Sequence, residues 1–87
     1  MIISAACYGF INDDWVIIPV HRHSDFFEIM KTLKCKYDKN TIKQCFIDWD
    51  PTTKRKMIVS REEAAKIAFS CGQIPNDKEQ LFSEDLY

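Results

Sequence analysis

Residues 60–72, Ser60-Arg61-Glu62-Glu63-Ala64-Ala65-Lys66-Ile67-Ala68-Phe69-Ser70-Cys71-Gly72, decide how this chain is read. Ser60 followed three residues later by Glu63 is a capping box: the serine hydroxyl accepts from the Glu63 N–H, and the glutamate carboxylate reaches back to the serine. Ala64, Ile67, Ala68 and Cys71 recur at steps of three and four, the period of one buried helix face. Gly72 supplies the left-handed stop. The stretch predicts a helix over 61–71.

Working back from it, residues 56–59 read as a short strand. It pairs with residues 42–49 across the turn Asp50-Pro51-Thr52-Thr53. Ile42, Cys45, Ile47 and Trp49 are its expected inward or interface positions. Residues 36–41 form a polar loop. Before it, Ser24 is expected to cap a helix with Asp25 in its first turn, where negative charge meets the positive end of the helix dipole. Phe26, Ile29, Met30 and Leu33 make an apolar stripe through about residue 35, broadened by Phe27. Further back, residues 2–11 and 15–20 are strands either side of Asn12-Asp13-Asp14, with Pro19 marking an edge or a strand end. Forward of Gly72 the chain is polar through the turn Pro75-Asn76-Asp77. It then ends in Leu81, Phe82, Leu86 and Tyr87, too apolar to be left in water. The order is ββαββα: an α+β fold of two β-hairpins packed with two helices and a docked C-terminal tail, one domain over 1–87.

Eighty-seven residues leave no room for a second core. Six Phe, three Tyr and two Trp supply large area for burial, and any functional cleft is expected to be shallow or shared with a second subunit of a homo-oligomer. Net charge is −1, which excludes a strongly basic nucleic-acid binder; no sequence-specific nucleic-acid partner is expected. The charge is uneven: residues 1–30 sum to −3, 31–59 to +5, 60–74 to zero and 75–87 to −3. A solvated helix face and two lysine-rich turns account for the basic middle, and an anion-attracting face is the sharper alternative. Cys7, Cys35, Cys45 and Cys71 form no CxxC pair and read as reduced, mostly buried thiols. No run approaches a membrane span and the first residues lack an export signal, so the expected place of action is the cytoplasm, with no membrane partner.

Three polar groups could carry chemistry. His21-Arg22-His23 with Asp25 sits between a strand and a helix start, where free N–H groups and the dipole already favour an anion. Arg61 with Glu62 opens the later helix, and an arginine there opposes the dipole, so a compensating contact is expected. Gln73 follows that helix, and Ser83-Glu84-Asp85 lies in the tail. The bland readings are a surface loop for the first group and a salt bridge to the tail for the second. His-x-His can present two imidazoles to zinc, but no second ligand pair stands at a recognisable spacing, so no metal or cofactor is assigned. With two glycines there is no phosphate loop, and neither a nucleophile–base pair nor a metal-hydrolase motif is present. An enzyme is therefore not indicated; a hydrolase or transferase using His23 with Asp25 or Glu84 is the weakest reading.

Arg22-His23-Ser24-Asp25, Ser60 through Ala68, Gly72-Gln73-Ile74 and Leu81-Phe82-Ser83-Glu84-Asp85-Leu86-Tyr87 together resemble a family of small phage-encoded proteins. The sequence departs from it in the second hairpin, where Cys45-Phe46 leads into Asp50-Pro51-Thr52-Thr53-Lys54. The resemblance implies a phage origin and, through it, an accessory factor acting on the host in its cytoplasm. Carried onto this chain, Arg22, His23, Asp25, Arg61, Glu62, Gln73, Ser83, Glu84 and Asp85 form the candidate ligand site. The expected function is anti-defence: binding and sequestering a small anionic or nucleotide-derived signalling molecule of the host. The alternative is an inhibitor that binds a host defence protein, such as a CRISPR effector, through a protein surface.

Overall fold

The computed structural model describes residues 1–86; Tyr87, expected to dock with the tail, lies outside the described residues. Strand β1 (Ile2–Ile11) turns at Asn12 and Asp13 into β2 (Asp14–Val20). Both turn residues have positive φ, 49° and 66°, the left-handed pair that matches the twist of a tight hairpin. The second hairpin joins β3 (Lys43–Asp50) to β4 (Arg55–Val59), and β1 pairs with β3, so the two hairpins fuse into one antiparallel sheet in the order β2-β1-β3-β4. A Cβ at Gly9 in β1 would meet the tip of the Ile42 side chain, which would have to shift to admit it. Pro19 lies on an edge strand, where its missing N–H leaves no central ladder bond unmade.

Helices α1 (Asp25–Thr32) and α2 (Arg61–Ser70) both cover one face of the sheet. One hydrophobic cluster draws Ile2, Ala5, Cys7 and Ile11 from β1, Phe46 from β3 and Val59 from β4. The helices add Phe26 and Met30 from α1, and Ala64, Ala65 and Ala68 from α2. The alanines let α2 lie close on the strands. Two short 3₁₀ turns, Lys39–Thr41 and Ser83–Asp85, complete the chain. No described helix is long and apolar enough to cross a membrane.

The α+β layout is as the sequence predicts, but four details differ. In β3 the core position is Phe46; Cys45, Ile47 and Trp49 alternate onto the sheet's other face, because the register pairs Phe46 with Ala5 and Val59. The first helix ends at Thr32, and Leu33 is largely exposed as its C-cap. Ser24 makes no side-chain cap; the Asp25 carboxylate instead accepts from Arg22 N–H at 3.1 Å, because Ser24 itself is already helical. The aromatic area is not mainly interior. Phe26 and Phe46 are fully buried, whereas Trp15 is 63% exposed and Phe27, Phe69 and Phe82 are also exposed. Of the four free cysteines, Cys7 and Cys45 are buried, and burial pushes both thiols up to about 11, while Cys71 is exposed.

Candidate functional site

The starts of the two helices meet where the tail comes back. Ser60 caps α2: its Oγ accepts from Glu63 N–H at 3.1 Å, and the Glu63 carboxylate reaches back to the serine hydroxyl, which donates to Oε1 at 3.5 Å. Gly72 ends the helix with φ +75°. The tail then returns across the helix start, where Leu81 N–H donates to the Arg61 carbonyl at 2.9 Å and the Leu81 side chain is completely buried. Leu86 packs partly against the same core, but Phe82 stays exposed, its ring facing two cations. The Lys78 ammonium is 5.0 Å and the Arg61 guanidinium 5.7 Å from the ring centre.

This arrangement encloses a concavity of about 570 Å³ lined by Arg22, His23, Ser24, Gln44, Arg61, Phe82, Ser83 and Glu84, a size in the usual range for small-ligand sites. Arg22 comes from the β2–α1 junction and Arg61 from the β4–α2 junction. Arg61 donates to Gln44 Oε1 at 3.1 Å, which aims the guanidinium along the sheet edge. Ser83 is buried; its hydroxyl donates to Glu84 Oε2 at 3.2 Å and lies 3.5 Å from His23 N–H as acceptor. Glu84's carboxyl falls below its ordinary value. Its own backbone N–H and the Ser83 hydroxyl donate to the anion, and the Arg22 charge adds attraction, against some desolvation and the neighbouring Asp85.

Five of the nine sequence-predicted residues therefore converge: Arg22, His23, Arg61, Ser83 and Glu84. The others are placed elsewhere. Asp25 faces the side of α1, its carboxylate held by the Arg22 N–H. Glu62 accepts from the Gln80 amide at 3.0 Å; its own backbone N–H, Gln80, Ser60 and Arg61 together draw its carboxyl down against partial desolvation. Asp85 accepts from Phe82 N–H at 2.8 Å and pairs with Lys78 at 2.8 Å, fastening the tail. Gln73 clamps the first strand: Ile2 N–H donates to Oε1 and Nε2 donates to the Ile2 carbonyl, both at 2.8 Å. His23 is in the lining by position, but its Nε2–H already donates to the Cys45 carbonyl at 2.9 Å and its ring meets Phe46 edge-on at 5.0 Å. His21 is exposed while His23 is buried, so the His-x-His pair is split. Among the described residues no three His, Cys, Asp or Glu side chains gather around a common point.

Ser24, Gln44 and Phe82 are the lining residues that sequence reasoning missed as site members; Ser24 was read as a helix cap. Gln44 was legible only through the alternation of β3 once Phe46 is taken as inward; Phe82 was read as a packing residue.

The fold and the concavity define a small α+β protein whose C-terminal tail closes an arginine-bearing cleft between two helix starts. Over residues 1–87 the chain matches the family model of the phage T4 y16D protein, and it belongs to that family of phage proteins. No curated protein and no solved structure matches it.

Proposed function

We propose that this phage protein is an accessory, anti-defence factor that binds and sequesters a small nucleotide-like anion of the host in the concavity between the helix starts. The observation that carries the reading is the convergence of Arg22 and Arg61, from two separate strand-to-helix junctions, on one cleft that also exposes the Phe82 ring. Two guanidiniums against the single Glu84 carboxylate leave the lining net positive, suited to a phosphate group. Phe82 offers a face for a base, and Glu84 an acceptor for an exocyclic amine or a sugar hydroxyl. His23, its Nε2 occupied by Cys45, supports the lining and does not grip the ligand.

The test is a thermal-shift panel of cyclic nucleotides, cyclic oligonucleotides and ADP-ribose derivatives. A ligand at about 100 times its Kd stabilises by about 2.7 kcal/mol, several degrees for a domain of this size. Arg22→Ala and Arg61→Ala should each remove the shift while the variants stay folded. A folded wild-type protein that shifts with no member of the panel would sink the reading.

A further inference from the structure

We infer that the sheet face left uncovered by the helices is a platform for single-stranded nucleic acid, bound without sequence preference. This goes beyond the cleft between the helix starts and uses other residues. By the strand register, Tyr8 and Phe10 of β1, Trp15 of β2 and Trp49 of β3 all point to this face, opposite to Cys7, Val16 and Phe46 on the helix side. Both tryptophans of the chain are among them. Trp15 is 63% exposed and meets the half-buried Phe10 edge-on at 5.6 Å. Ile17 and Ile58, on the same face, are 42% and 47% exposed.

Charge selects the occupant. Lys43 and Lys56 are the formal charges on strand positions of this face, and Lys56 stands directly across from Trp49. The β3–β4 connection beside Trp49 adds Lys54. The carboxylates of the same strands, Asp14, Asp48 and Asp50, fall on the alternate positions and turn to the other side; Asp48 is paired with the N-terminal ammonium at 2.7 Å. A second copy docked face to face would set lysine against lysine with no carboxylate to receive it. A polyanion meets a cation beside a ring at each end of a path about 20 Å long, six residue steps along β3: Lys43 across from Tyr8 at one end and Lys56 across from Trp49 at the other, with Phe10 and Trp15 one row beyond Lys43.

Rings standing beside cations suit single strands. Unpaired bases can stack on them whatever their identity, whereas a duplex keeps its bases inside. Apart from Tyr8 and the two indole N–H donors, the face offers only the Ser4 hydroxyl as a neutral hydrogen-bonding side chain, too little to read base edges.

The experiment titrates the protein with an oligothymidylate and an oligouridylate of about 15 nucleotides, and with a blunt duplex, at about 50 mM salt. The readout is tryptophan fluorescence, which reports from this face alone. Saturable quenching by the single strands is expected, weaker for the duplex. The log–log salt slope should be about −0.7 for each phosphate neutralised. Lys43→Glu with Lys56→Glu should weaken binding about tenfold or more and flatten that slope by about 1.4, with an unchanged circular-dichroism melt. Lys31→Glu, on α1, should change neither. No quenching by either single strand, equal binding of the duplex, or indifference to the double substitution would overturn the inference. Sedimentation showing a dimer with blue-shifted tryptophan emission would assign the face to a second copy, and displacement of the oligonucleotide by polyglutamate at lower charge concentration would assign it to an acidic protein. Either result overturns the inference as well. The thermal-shift response of the Arg22 and Arg61 cleft does not depend on these tryptophans, so the two readings fail separately.

Discussion

The two faces of the one sheet are filled in opposite ways. On the helix side β1 presents Ala5 and Cys7, and α2 answers with Ala64, Ala65 and Ala68, all fully or nearly fully buried. The large residues here are few: Phe26, Phe46, Met30 and Leu81 are the bulkiest side chains fully out of water. On the other side β1 presents Tyr8 and Phe10 with Trp15 across from Phe10, and β3 puts Trp49 on the same face at the far end. Small side chains allow the helices to approach closely, so a thin core reaches interior density with modest volume. The difference teaches that aromatic content in a short chain is not a measure of its core. A large ring on the face that no element covers is available for another molecule.

The strongest way to break that contrast is to truncate one ring on each face. Phe46→Ala should cost about 3–5 kcal/mol, the range for deleting a buried aromatic side chain, and it also removes the edge contact with His23. Trp15→Ala should cost about 1 kcal/mol or less, mainly the edge-on pair with Phe10. Urea denaturation of the two variants checks the difference. Equal losses would mean that the open face is covered by a second copy.

Much of this architecture was legible in the residues because local signals were strong. The capping box and Gly72 set α2, and Asn12-Asp13 set the first turn through their tolerance of positive φ. The facing of β3 was not legible. Cys45, Phe46 and Ile47 are consecutive apolar residues, and both alternations fit them until the pairing with Ala5 and Val59 selects Phe46. The site was legible in part for a related reason. Arg22, Arg61 and Ser83-Glu84 converge because the tail returns over α2, as its apolar residues implied. Gln73 looked like a ligand residue, yet its amide replaces a missing backbone partner at Ile2, a non-local contact that no spacing reveals.

A finer contrast lies between the helix starts, each preceded by a serine in the sequence. Ser60 caps α2 with a measurable bond, whereas Ser24 is already helical and bonds nothing in the first turn of α1. Ser60→Ala should therefore cost about 1 kcal/mol, within the usual range for removing an N-cap. Ser24→Ala should fall within about 0.5 kcal/mol of wild type. Thermal melts of both variants under one buffer decide it, and a Ser24 loss as large as that of Ser60 would show that α1 is capped as the sequence first suggests.

The smallest expected effect concerns the clasp that holds the tail against the helix side. Burial alone would push the Asp85 carboxyl up, but the Lys78 ammonium and the Phe82 N–H outweigh it, and the group lies below its ordinary value of 3.8. A carboxyl lowered in the folded state contributes stability that is complete above the unfolded value and is lost as pH falls through the folded one. Stability should therefore decline on acidification, beginning near pH 5 and continuing below the ordinary aspartate value. Asp85→Asn keeps the shape but cannot carry the charge, so its urea midpoint should start lower at neutral pH and fall less steeply in acid. Glu62 and Glu84 are lowered too, so the acid slope should shrink and not vanish. Because Asp85 bonds the N–H of Phe82, the same variant should loosen the segment carrying Ser83 and Glu84. Amide exchange at Phe82 should accelerate more than exchange at Phe46. An identical acid slope in wild type and variant, with unchanged exchange at Phe82, would show that burial of Leu81 holds the tail without the clasp.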